Sequence, residues 1–260
     1  MLEVRDVGRG NVDDVFSVCS YGRLDEPVQM KGIDLKKKWL LGMMDEYGSC
    51  TKAAYLDGTP VGQVLFYPEE AVPYMPYPRD RAVILHCVYN PFPDARRMGV
   101  GSALMNELLD ECRTSLPCLG SRICSVVVAR PFSTGEGFSL GDFYTRFGFL
   151  NGVDEMYMEV SGTYEPREPG RYVPLIEDRE RAVVLFEPVC EWGYPHAMRV
   201  VDAVREIDPD ITVDVYNSWD RPEESLKRGN VGVVVNCTPI TSYITDTSAF
   251  RVEVARALGR

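Results

Sequence analysis

Histidine is nearly absent from this sequence, which holds only His86 and His196. Set far apart, they offer none of the ligand spacings of a zinc site, so no metal is expected. There are eight cysteines but no C-x-x-C. In a long chain without a secretory signal they read as thiols, mostly buried, rather than as a disulfide framework. The opening stretch MLEVRDVGRGNVDD lacks a basic segment and an apolar one, and no apolar run is long enough to cross a bilayer. A soluble cytoplasmic protein is expected. Positive charge is scarce as well: 28 basic against 39 acidic residues leave a net charge of −11. A cut near residue 165 leaves both parts acidic. Such a surface repels nucleic acid and anionic lipid and suits a cationic or amine-bearing small partner. Internal repeats and low-complexity tracts are missing too.

What is present is an α/β rhythm. NVDDVFSVCSYG (11–22) reads as a short helix capped by Asn11, with Val15, Phe16 and Cys19 on one face. IDLKKKWLLGMMDEYG (33–48) reads as a second, capped by Asp34, striped by Leu35, Trp39, Leu40 and Met43, and stopped by Gly48. Strand-like runs on either side of Asp57-Gly58 predict a hairpin. RAVILHCVY (81–89), apolar nearly throughout, is expected to be a strand buried on both faces. A glycine turn and helix, RRMGVGSALMNELLDE (96–111), lead to a further strand, RICSVVVAR (122–130). This order is a parallel crossover. GDFYTRFGFL then reads as a short helix and turn, and DEMYMEV as an alternating strand.

SGTYEPREPGRYVP breaks every period with glycines and prolines. The expected organisation is therefore one domain over 1–162, a linker over 163–178 and a second domain over 179–260. Beyond the linker the order is strand RAVVLFEP, helix YPHAMRVVDAVREI, strand ITVDVYN, helix RPEESLKRG, strands VGVVVN and PITSYI, and helix SAFRVEVARAL.

The glycine turn carries the most chemistry. The first N–H groups of a helix have no internal partner, and the aligned peptide dipoles add positive charge, so an anion fits there. Gly99 and Gly101 keep side chains away from those groups while Arg96 and Arg97 supply charge, which makes the turn from Arg96 through Met98, Gly99, Val100 and Gly101 to Ser102 a candidate diphosphate seat. It is not a Walker loop, because it holds no lysine, and not a dinucleotide fingerprint, because the third glycine position is Leu104.

Arg96-x-x-Gly99-x-Gly101, after a buried strand and opening a helix, resembles the acetyl-CoA signature of the GCN5-related N-acetyltransferase (GNAT) family. FYTRFGF (143–149) is similar to that family's Phe-Tyr-x-x-x-Gly-Phe segment. The resemblance covers about residues 1–160. It departs at NPFPDA, between Tyr89 and Arg96, which is longer than the family's usual connection. The resemblance implies a mixed α/β sheet whose central parallel strands splay apart, with the pantetheine arm of acetyl-CoA laid against Cys87 and Val88 and the Val88 N–H polarising the thioester. It implies direct attack by a primary amine of a small molecule or peptide within a ternary complex. It also makes Tyr144 the acid that protonates the leaving thiolate. For the base, His86, Glu69, Glu70 and an ordered water stand as candidates. The acceptor is expected between the first two helices and the loop from Phe132 to Asp142, and a homodimer is left open.

The second part resembles a thioredoxin-like fold, and the pairing resembles the YoaP-type acetyltransferases. Cys190 stands where such domains carry a reactive thiol, but the second cysteine position is Gly193, no proline occurs at Val231 or Gly232, and Glu191 opposes thiolate formation. Competing readings are an acyl-CoA sensor or scaffold without turnover, and a thiol-redox protein acting through Cys190.

Overall fold

A computed structural model describes residues 1–132, 139–168 and 170–260. They form two compact units, Met1–Leu24 with Lys37–Glu168, and Asp25–Lys36 with Pro169–Arg260.

The first unit runs β1 (Leu2–Asp6), α1 (Val12–Cys19), α2 (Pro27–Tyr47), β2 (Thr51–Leu56), β3 (Thr59–Pro68), β4 (Ala82–Tyr89), α3 (Val100–Thr114), β5 (Val126–Ala129), α4 (Leu140–Thr145), β6 (Leu150–Asn151) and β7 (Met156–Glu159). Only the part of α2 from Lys37 onward belongs to this unit. The seven strands form one sheet in the order β1-β2-β3-β4-β5-β7-β6. Only β4 and β5 are parallel neighbours. This is the mixed α/β sheet expected. Asp57 and Gly58, with φ of 50° and 84°, make the β2–β3 turn as a two-residue loop of the kind that needs positive φ at both positions.

Alternation along β3 decides which helix covers which face. A side chain at Gly62 would run into Val100 and Leu104 of α3, whereas the next residue, Gln63, donates from Nε2 to the Cys19 sulfur at the end of α1. Successive residues of a strand face opposite ways, so α3 and α1 lie on opposite faces of the sheet. The core between them includes Val64, Leu65, Phe66, Leu85, Leu104 and Leu108, each at most 1% exposed.

Several sequence expectations are corrected. The second helix starts at Pro27, not after Asp34, which lies exposed inside it. Proline at a helix start is a stronger signal than an acid further along, since its ring presets φ and the missing N–H costs nothing there. Asn11 does precede α1, but its side chain serves Gly8 N, the Asp6 carbonyl and the Tyr55 hydroxyl rather than capping the helix. The edge strand β1 was not foreseen, although Leu2 and Val4 alternate with Glu3 and Arg5. Strand β5 is confined to Val126–Ala129. Strand β4 is well buried only up to Leu85; His86, Cys87, Val88 and Tyr89 are half-buried, because β5 stops beside Leu85.

The linker region is tied down at both ends. In the first unit Tyr164 stacks on Tyr157 with centroids 3.8 Å apart, and Arg167 reaches Glu69 at 3.1 Å. In the second, the Tyr172 hydroxyl donates to Asp178 at 2.8 Å.

The second unit contains β8 (Arg181–Phe186), α5 (Gly193–Ile207), β9 (Thr212–Asn217), α6 (Pro222–Lys227), β10 (Val233–Val235), β11 (Thr238–Pro239) and α7 (Thr247–Ala257). Its sheet order is β11-β10-β8-β9, with β8 and β9 parallel and β10 antiparallel to both of its neighbours. Its core gathers Val184, Val201, Val204, Val235, Phe250 and Val254. The run PITSYI supplies only two strand residues, Thr238 and Pro239 forming β11 and pairing with the end of β10.

Candidate active site

The site begins where β4 and β5 part. Their ladder runs from Ala82 beside Val126 to Leu85 beside Ala129 and goes no further. Past Leu85, β4 keeps β3 on one side and has no strand on the other among the described residues. The partner register jumps at this point: Phe66 faces Leu85 while Leu65 faces Cys87, so His86 is an extra residue in β4. A bulge of this kind bends the strand and turns backbone groups out of the ladder. A half-length of β4 therefore presents backbone donors and acceptors to whatever lies in the gap.

At the far end of β4 the chain turns through Asn90. The Asn90 carboxamide accepts from Phe92 N at 3.0 Å and donates to the Ala95 carbonyl at 3.2 Å, and Phe92 packs edge-on against Tyr21. The long NPFPDA connection is thus a closed turn, an Asx turn of the sort that Asn-Pro favours. Arg97 (φ 64°) and Gly99 (φ 81°) then reverse the chain into α3. The N–H of Ala103 takes the Gly99 carbonyl at 2.8 Å. Those of Val100, Gly101 and Ser102 find no acceptor among the described residues, as expected of a helix start. Arg96, Arg97, Met98 and Ser102 are exposed around them.

The two glycines differ in their physical roles. A Cβ on Gly99 would meet nothing within 4 Å, so the residue is required for its left-handed backbone and not for clearance. A Cβ on Gly101 would lie 3.3 Å from the Phe143 ring and 3.9 Å from Val88. Gly101 is where the turn, β4 and the FYTRFGF segment converge.

That segment forms α4 and the turn after it. Ser139 caps α4 by accepting from Asp142 N at 3.1 Å, and Phe143 and Phe147 pack with centroids 5.0 Å apart. Tyr144 is 1% exposed, its ring lies against Phe149, and its hydroxyl has no hydrogen-bond partner among the described residues. Burial, with the neighbouring Cys87 thiol adding to it, pushes that hydroxyl above the usual phenol range. It stays protonated at working pH and has a proton to donate. Leaving a buried hydroxyl unpaired costs about 1–3 kcal/mol, a cost that a ligand acceptor in the gap would remove.

Of the candidate bases, His86 lies on the bulge with its ring 6.2 Å from that of Tyr67, which in turn packs edge-on against Trp39. Glu69, the second candidate, is not free to act as a base. It is 1% exposed and held by Arg79 through the backbone N–H (2.7 Å) and the guanidinium (2.5 Å), and by Arg167 (3.1 Å). Arg79 also bridges to Glu155 at 2.7 Å. A carboxylate so committed is structural. Glu70 is exposed, 3.8 Å from Arg122. Within the expected acceptor loop, residues 133–138 lie outside the described residues. Among the described residues there is no group of three or more His, Cys, Asp or Glu side chains placed to hold a metal ion, and no helix long and apolar enough to cross a membrane.

A sequence profile of the acetyltransferase (GNAT) family matches residues 17–149, half of the chain. The chain belongs to this family. Comparison with curated proteins gave no match. Among solved structures it is similar to Ard1 from Thermoplasma volcanium (18% identity, 61% of this chain and 97% of that one covered, TM-score 0.41). Similar too are a GNAT acetyltransferase from Brucella melitensis solved with acetyl-CoA (14%, 65% and 94%, 0.43) and the PaiA N-acetyltransferase from Thermoplasma acidophilum solved with coenzyme A (15%, 61% and 99%, 0.43).

Proposed function

We propose that the chain is an N-acetyltransferase that moves acetyl from acetyl-CoA to a primary amine of a small molecule or peptide. The observation that carries this is the parting of β4 from β5 at Leu85, with the Gly99–Gly101 turn and the unpartnered Tyr144 hydroxyl both facing the residues beyond it. The N–H groups of Val100, Gly101 and Ser102 would hold the diphosphate, with Arg96 and Arg97 adding charge. The open edge of β4 at Cys87 and Val88 would pair with the pantetheine arm. The thioester supplies an activated acyl group.

The remaining steps fall to the protein. The Val88 N–H, held by the strand, stabilises negative charge on the carbonyl oxygen, and a preorganised donor of this kind costs no reorganisation at the moment of reaction. The Tyr144 hydroxyl donates its proton to the departing thiolate. His86, beside the gap, is the protein's candidate for taking the ammonium proton, with an ordered water as the alternative. The acidic surface concentrates a cationic acceptor. Attack is direct, in a ternary complex.

The order β11-β10-β8-β9 with one parallel pair supports reading the second unit as thioredoxin-like. It does not support redox catalysis through Cys190. A Cβ at Gly193 would lie 2.3 Å from the Glu187 carbonyl oxygen, so the second cysteine of a C-x-x-C has no room.

The test is thiol release from acetyl-CoA across polyamines, amino acids, aminoglycosides and peptides. An acceptor that raises release above the slow hydrolysis rate supports the enzyme. Thermal stabilisation by acetyl-CoA with no turnover over the whole panel would support a sensor instead.

A further inference from the structure

The eight cysteines are all thiols, but they are not equivalent. Cys50, Cys112, Cys118 and Cys124 are at most 1% exposed. Mutual hydrogen bonding, of Cys112 with Cys124 and of Cys118 with Cys50, together with burial, pushes the Cys112 and Cys118 thiols far up. Thiols held neutral in this way are poor nucleophiles. The Cys237 sulfur lies on the Leu175 carbonyl at 3.2 Å, and the Cys19 sulfur accepts from Gln63. Cys87 alone stands on the open stretch of β4, half-buried, one residue past the bulge. Beside it is the Tyr144 hydroxyl, buried and without a hydrogen-bond partner. A thiol and a buried, unpartnered hydroxyl thus meet where the family reading places the sulfur of coenzyme A.

We propose that Cys87 is a modification site at which the protein forms a mixed disulfide with coenzyme A. The reactant is coenzyme A disulfide, one half of which would use the same turn and strand edge as acetyl-CoA, so the proposal rests on that cofactor reading. The Cys87 thiolate attacks the nearer sulfur of the bound disulfide. One S–S bond forms between Cys87 and that half, the original S–S bond breaks, and the other half leaves as a thiolate that takes up the proton Cys87 lost. One disulfide is consumed and one is formed, so no outside oxidant is needed. The adduct fills the thioester site and blocks transfer until a thiol reductant releases it. The protein would thereby respond to the redox state of its own co-substrate pool.

The experiment treats the full chain with coenzyme A disulfide and follows intact mass without reductant, with peptide mapping and parallel calorimetry of coenzyme A binding. Expected is one coenzyme A per chain, located on Cys87, removed by dithiothreitol, and formed on Cys19→Ser as on the wild type. Cys87→Ser takes up none. Acetyl-CoA at ten times its Kd slows the reaction about tenfold by occupying the site. Oxidised glutathione, which lacks the nucleotide, reacts at least ~10-fold more slowly at equal concentration, because its sulfur is not held in place. Binding of coenzyme A without an adduct, an adduct on another cysteine, or equal rates with glutathione would overturn this proposal alone. Absence of coenzyme A binding would overturn the cofactor reading and this proposal with it.

Discussion

At the scale of single residues, identical amino acids separate by what surrounds them. Gly99 and Gly101 are indistinguishable as letters of one motif, yet one is needed for a left-handed φ and the other for closeness to Phe143 and Val88. Gly99→Ala is expected to cost about 1 kcal/mol in stability, read by denaturant titration, because the strain is in the backbone and the space beyond is open. Gly101→Arg is expected to abolish coenzyme A binding in calorimetry, since its side chain must enter the convergence of turn, strand and α4. Tyr144→Phe is expected to lower kcat roughly 10²-fold with KM for acetyl-CoA nearly unchanged, because the proposed role of the hydroxyl is on the leaving group and the ring keeps its packing against Phe149. An unchanged kcat under conditions where chemistry limits turnover removes Tyr144 from the reaction. The glycine turn before α3 and the short helix that carries Tyr144 were legible in the sequence because a spaced motif survives as letters. The bulge at His86 and the burial of Glu69 were not, since each depends on a partner strand or a distant arginine.

Elements are shaped by how their ends are tied. The last helix, α7, is held to the loop after β11 by Glu253, whose carboxylate accepts from the backbone N–H of Thr241 (2.9 Å) and Ser242 (2.8 Å) and from the Thr241 hydroxyl (3.0 Å). Burial opposes its charge, but the Ser242 hydroxyl together with these hydrogen bonds prevails and holds its pKa at about 2 against an ordinary 4.5. A carboxyl lowered by folding contributes stability above about pH 4.5, and that contribution is lost as pH falls towards 2. Glu253→Gln is therefore expected to be about 1–2 kcal/mol less stable at pH 7 and to converge with the wild type near pH 2, as measured by urea unfolding at each pH. The sequence marked α7 by its apolar spacing. It could not mark this tie, which joins Glu253 to a turn eleven and twelve residues earlier. The same blindness shortened the second helix, whose start at Pro27 lies in a stretch with little helical periodicity.

For the whole molecule, the two compact units do not follow the chain in order, because Asp25–Lys36, which includes the first turns of α2 from Pro27, clusters with Pro169–Arg260. In the second unit Gly32 is pressed against the Glu191 carbonyl, where a Cβ would lie 2.0 Å away, and the Lys36 ammonium pairs with the Glu191 carboxylate at 2.8 Å, both side chains at most 1% exposed. A fragment ending at residue 168 strips this packing away. Its residues 25–36 are expected to exchange amide hydrogens far faster than in the full chain, by mass spectrometry, while strands β2 to β5 keep their protection. Equal protection of 25–36 in both would show that the helix needs no partner. By itself the sequence determined the alternation of helices and strands, the parallel crossover and the glycine turn that opens α3, because periodicity and backbone freedom are local properties of neighbouring residues. Only the tertiary structure decided where β5 stops beside β4, which thiol stands in the gap, and which unit owns the start of α2. Those outcomes depend on register and packing between residues far apart in the chain, and no local pattern encodes them.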